Sequence, residues 1–143
     1  MRQIILILIG LSVATQAARF SRDATTQIVT DTQTNLKWQD DSDAKTVSKS
    51  WQNAIEYCEA LTLGGKDDWR LPNINELFYI SDRTINNPAL SSVFVNVYSS
   101  SYWSSTTDAS SGSNAWLVFF TTGDNFNGDK GHVDFVRCVR AGE

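Results

Sequence analysis

Histidine, cysteine and cationic charge are all scarce in this sequence, and each scarcity removes a class of function. His132, Cys58 and Cys138 are the only residues of their types. A zinc-type site normally draws on four ligands, and nucleophilic catalysis needs a base beside its nucleophile. Neither set is present. Asp and Glu number 16 against 12 Lys and Arg, a net charge of −4, and no basic cluster stands out against that balance. Nucleic acids and heavily sulfated polymers are held by many cations acting together, so neither is expected as a general partner. After residue 13 no apolar run approaches the roughly 20 residues that span a bilayer.

What the chain does have begins with a leader. Arg2 precedes an apolar run over residues 4–13, interrupted at Gly10 and Ser12, and Thr15-Gln16-Ala17 supplies small residues for cleavage. This pattern predicts a signal peptide over residues 1–17, with an uncleaved anchor helix as the competing reading. No cysteine follows closely enough to carry a lipid anchor. Removing Arg2 takes the charge from −4 to −5. The expected product is one domain over residues 18–143, periplasmic, secreted or on the cell surface, with no membrane span after cleavage. In such a compartment two cysteines can pair in only one way, so Cys58–Cys138 is expected as a disulfide. A reactive pair or part of a metal site is the alternative. Chain entropy over so long a loop corresponds to about 4–5 kcal/mol.

The stretch Asp67-Asp68-Trp69-Arg70-Leu71-Pro72-Asn73-Ile74-Asn75-Glu76-Leu77 organises the rest. Pro72 forces Leu71 into an extended conformation. Asn73 with Glu76 three residues on predicts a capping box. Trp69 and Leu71 are expected to enter the core, and Arg70 to pair with a nearby carboxylate, with a ligand-binding role for the stretch as the competing reading. Before this stretch, Trp51, Ala54, Ile55, Cys58 and Leu61 form one helical stripe, with Gly64-Gly65 expected as the left-handed stop. After it, a second helix is predicted over residues 74–81, facing inward through Ile74, Leu77, Phe78 and Ile80, and the Asn86-Asn87-Pro88 turn stops the segment.

Strand signals flank the helices. Residues 27–31 and 36–38 form a hairpin pattern, with Asn35 suited to a left-handed position. Asp40, Asp41 and Asp43 then read as a solvated connector, calcium binding being disfavoured by the absence of a turning Gly and a closing Glu. Residues 84–101 read as a long serine-rich loop of the kind that carries binding surfaces. A short strand over 102–105, a loose turn over 108–114, a central strand over 115–121 and a closing strand over 133–140 follow. Residues 123–131 read as a connecting loop. Their Asp124-Asn125-Phe126-Asn127-Gly128-Asp129 run has calcium-type residues in the wrong register.

Taken together, Ile28-Val29-Thr30-Asp31 with Leu36-Lys37-Trp38-Gln39, the Trp51 to Cys58 helix, Asp68-Trp69-Arg70-Leu71-Pro72-Asn73 with Glu76-Leu77, Tyr102-Trp103-Ser104-Ser105 and Val136-Arg137-Cys138-Val139-Arg140 resemble the Lcl C-terminal domain family, named after a bacterial collagen-like adhesin. The resemblance covers essentially the whole expected product. It implies an α+β, C-type-lectin-like fold. Two helices would flank a small twisted antiparallel sheet with a long irregular loop, and a disulfide would tie the first helix to the last strand. Calcium-dependent lectins of that fold use Glu-Pro-Asn or Gln-Pro-Asp in the loop and Trp-Asn-Asp on a strand. Asn87-Pro88-Ala89 and Trp103-Ser104-Ser105 stand in their place, so the resemblance does not extend to calcium-dependent sugar binding, and no metal or cofactor is expected.

The function expected on these grounds is a non-enzymatic binding or adhesion module for a glycan or another exported protein. Trp103, Ser104, Ser105 and Asp108 are its candidate ligand residues. Core packing is the competing reading of Trp103. The alternatives are an assembly domain of an exported complex and, on fold resemblance, an enzyme of the formylglycine-generating type, whose cysteine chemistry would compete with the disulfide for Cys58 and Cys138.

Overall fold

The computed structural model describes residues 18–143. The expected leader lies outside the described residues. Strands β1 (Phe20–Asp23), β2 (Ile28–Asp31) and β3 (Leu36–Gln39) come first, then a single helical turn α1 (Asp43–Thr46), a short strand β4 (Ser48–Lys49) and helix α2 (Trp51–Ala60). Helix α3 (Ile74–Tyr79) is followed by β5 (Ser101–Asp108), β6 (Ser111–Phe119), β7 (Asp124–Asp129), β8 (Asp134–Phe135) and β9 (Val139–Ala141). One sheet has the order β1-β2-β3-β9 and the other β4-β8-β5-β6-β7. All pairs are antiparallel except Tyr102 with Phe135, where β5 meets β8 in parallel. The class is α+β, with two sheets where a single small one is expected.

The larger sheet is buried on both faces at its centre, which is why β6 reads as apolar throughout. Tyr102 and Val118 pack with Leu77 of α3, Phe120, Trp38 and Val139 on one side. Trp103, Ala115 and Leu117 pack with Ala54 and Cys58 of α2, Trp69 and Leu71 on the other. Cys58 and Cys138 form the disulfide, joining α2 to the segment before β9. No helix among the described residues is long and apolar enough to cross a membrane.

The central stretch adopts the structure its chemistry predicts. Asn73 accepts from the Glu76 N–H at 2.8 Å, and Glu76 accepts from the Asn73 N–H at 2.9 Å, a complete capping box. Arg70 meets Glu76 through two hydrogen bonds, at 2.7 and 2.8 Å, and its backbone bridges to Val139. Trp69 and Leu71 are buried. The Pro72 carbonyl accepts from Ser105 at 2.7 Å, and Thr106 accepts from the Ile74 N–H at 3.0 Å. One short connector thus docks α3 against both sheets. Asn35 takes φ of 58° in the β2–β3 hairpin.

Several expected boundaries move. Helix α2 ends at an extended Leu61, and Gly64-Gly65 instead turn the chain between the bridged residues Leu63 and Lys66, both at positive φ. The loose turn expected over residues 108–114 shrinks, because Asp108 already pairs with Ser111. Residues 124–129 are a strand rather than a loop. As an edge strand exposed along nearly all its length, β7 carries no apolar alternation to read. The closing strand is two strands: β8 pairs in the larger sheet, the chain crosses through buried Val136, Arg137 and Cys138, and β9 pairs in the smaller one.

Candidate functional site

The strand end expected to bind ligand is mostly interior. Trp103, Ser104 and Asp108 are buried and Ser105 is half-buried. The Trp103 indole donates to the Lys49 carbonyl at 2.8 Å inside the core beside Cys58. Ser104 donates to the Trp116 carbonyl at 2.6 Å. Asp108 accepts from the Ser110 N–H and hydroxyl at 3.0 and 2.9 Å, closing the β5–β6 turn. Trp103 therefore takes the core role, and these residues do not assemble a ligand surface. Aromatic and hydroxyl residues suit a buried strand and a sugar platform alike, so composition alone could not separate the two.

The connector expected to be solvated is also corrected. Asp40 is wholly buried and lies between two guanidiniums: Arg22 donates to it at 2.6 Å and Arg137 at 3.0 Å. Its carboxylate further accepts from the backbone N–H of Val95 at 3.0 Å and of Asn96 at 3.2 Å. The Asn96 amide donates to the Asp40 carbonyl at 2.7 Å, and Arg137 donates to the Asn96 carbonyl at 2.6 Å. The Arg137 guanidinium also lies 5.0 Å from the Phe94 ring centre, a cation–π contact. Asp41 and Asp43 are engaged as well, through Gln39 at 2.9 Å and Tyr57 at 2.8 Å. Burial, reinforced by Asp43, pushes the Tyr57 hydroxyl well above its ordinary range.

This cluster determines what the long loop presents. Ala89, Leu90 and Phe94 anchor residues 82–100 in the core, and the clamp on Val95 and Asn96 turns the next residues outward. Val95 is 58 % and Tyr98 56 % exposed. The Tyr98 ring stacks on Phe135 of β8 with centroids 4.8 Å apart, and its backbone N–H donates to the Tyr102 hydroxyl at 3.0 Å. Val133, just before β8, is 62 % exposed. The exposed apolar side chains here are thus Val95, Tyr98 and Val133, of which Tyr98 is held against Phe135. Sequence reading finds the loop but none of these residues, because exposed Val and Tyr look like core residues until a fold places them.

Charge near this surface is modest. Asp134, on the opposite side of β8 from Phe135, is pushed up to about 6 by burial, with His132 opposing. Among the described residues no group of three or more His, Cys, Asp or Glu is placed to hold a metal ion. Two clefts lie elsewhere, one of about 180 Å³ beside Ile28, Lys37 and Arg140 and one of about 460 Å³ beside Arg19, Phe20 and Asp82. Neither includes Trp103 or Tyr98.

Residues 27–140 match the family described as Lcl C-terminal domain. No curated protein matches the chain.

Proposed function

The chain belongs to the Lcl C-terminal domain family, and from that premise we propose that it is an exported, non-enzymatic binding module of C-type-lectin-like fold, engaging a protein or glycan through its long loop. The observation that carries this reading is the Tyr98 ring, exposed yet fixed on Phe135 by a loop whose backbone is tied to Asp40 and Arg137. An aromatic side chain offers large contact area with few rotors to freeze on binding. The ordering is made within the domain, so little remains to be lost when a ligand arrives. The disulfide supports export and occupies both cysteines that formylglycine-type chemistry would require. An assembly role is the second reading, favoured by the apolar character of Val95 and Val133, which suits a protein partner.

The test is a comparison of the purified wild-type protein with Tyr98→Ala on a glycan array and on immobilised exported proteins of the same cell. Wild-type signals are expected to fall at least roughly tenfold in affinity, the scale of one lost aromatic anchor at about 1.4 kcal/mol or more. A folded Tyr98→Ala protein that binds as wild type removes the loop surface from the proposal.

A further inference from the structure

A second surface lies on the β6–β7 ladder, remote in sequence from the loop. Trp116 faces Asn127 directly across the strands. Asn125 pairs with Val118, and alternation puts Asn114, Trp116 and Val118 of β6 on one face with Asn125 and Asn127 of β7. At Val118 that face is covered, since Val118 packs with Leu77 of α3. Two residues back the cover ends: Trp116 is only half-buried and is a member of neither core cluster.

The indoles of Trp51, Trp69 and Trp103 each donate to a backbone carbonyl. The Trp38 indole is buried without a partner. The Trp116 N–H has no protein acceptor among the described residues and is not enclosed, so it remains available as a donor. Beside it, Asn114 donates to the Asn127 side-chain oxygen at 3.3 Å, which orients the second amide through its oxygen. Asn125 and Asn127 are exposed. The ladder bears no cation, its charged groups being Asp124 and Asp129.

We infer that Trp116 with Asn114, Asn125 and Asn127 forms a binding site for an uncharged saccharide. The indole face supplies the apolar platform for the C–H face of a pyranose ring, and the indole N–H and the amides supply donors and acceptors for its hydroxyls. Such a site binds through a few placed polar groups around an aromatic surface. Asp129, directly across from Asn114 and so on the same face, works against sulfated or uronic sugars, because like charges repel, whereas Asp124 is ion-paired with Arg83 at 2.9 Å. The site shares no residue with the Tyr98 surface, so the two stand or fall separately.

The experiment is an NMR titration of the isotopically labelled protein with maltohexaose, cellohexaose and chitohexaose, with a heparin hexasaccharide as the charged control. At least one neutral sugar is expected to shift the Trp116 indole and the Asn125 and Asn127 side-chain amide signals. Trp116→Ala is expected to weaken that binding at least tenfold, and the wild-type signals that shift are expected to leave out the Tyr98 backbone. Asn127→Ala, on the exposed edge where folding is little at risk, provides the second variant and should weaken binding severalfold. No shift with any neutral sugar at millimolar concentration overturns the inference. So does binding by the charged control alone, and so does binding that survives both Trp116→Ala and Asn127→Ala.

Discussion

Asp134 lies half-buried on β8, directly across the ladder from Lys49 and near His132, with no hydrogen bond to its carboxylate among the described residues. Burial raises it from 3.8 to about 6, against the opposing effect of His132. A folded-state value above the unfolded one means that the neutral acid is favoured by folding. Its contribution to stability is thus fully present below about 3.8 and lost as the pH rises through about 6. Asp134→Asn should therefore gain stability relative to wild type between pH 4 and pH 7, measured by urea denaturation at a series of pH values. Parallel curves for the two proteins would show that the carboxylate is solvated in the folded state. Asp40 is held by a dense set of donors. It is more deeply buried, yet both its oxygens are met by guanidinium and backbone donors, the condition under which a buried charge is tolerated. Its partners Val95 and Arg137 lie 55 and 97 residues away. No local pattern around Asp40-Asp41 could announce them, and the run reads as an ordinary solvated connector.

Among the elements, the turn joining α2 to the central stretch is the most constrained by backbone geometry. Gly64 and Gly65 adopt φ of 60° and 71°, where a side chain costs roughly 1–2 kcal/mol. A Cβ on Gly64 would also fall 2.6 Å from Cδ1 of Ile28, whereas on Gly65 it meets nothing within 4 Å. Gly64→Ala should accordingly lower the denaturation midpoint more than Gly65→Ala, and the reverse order would show that the contact with Ile28 is easily relieved. The sequence identified these glycines as left-handed positions but assigned them to a helix end, because both uses require the same φ. Signals contained within three or four residues were legible: the Asn73–Glu76 box, the α2 stripe and the Asn35 turn. Signals that depend on neighbours were not. Strand β7 was hidden by exposure of both faces, and the step from β8 to β9 by an alternation that continues while the chain changes sheets. The candidate site suffered most, since the burial of Trp103 and the exposure of Tyr98 are decided only when the strands are assembled.

For the molecule as a whole, the covalent tie between α2 and the segment before β9 closes a loop of 80 residues in sequence separation. Replacing both Cys58 and Cys138 with Ala should lower the unfolding free energy by about 4 kcal/mol, chiefly by freeing the unfolded chain. Urea denaturation of the double variant measures this, and a loss below about 1 kcal/mol would mean that the unfolded chain is already compact without the bond. The neighbouring Arg137 couples that tie to the long loop. Its guanidinium closes on Asp40 and on the Asn96 carbonyl, one residue before the bonded Cys138. The covalent bond and the ion pair thus hold adjacent positions of one buried segment, so that opening the first slackens the latch on the loop that carries Tyr98.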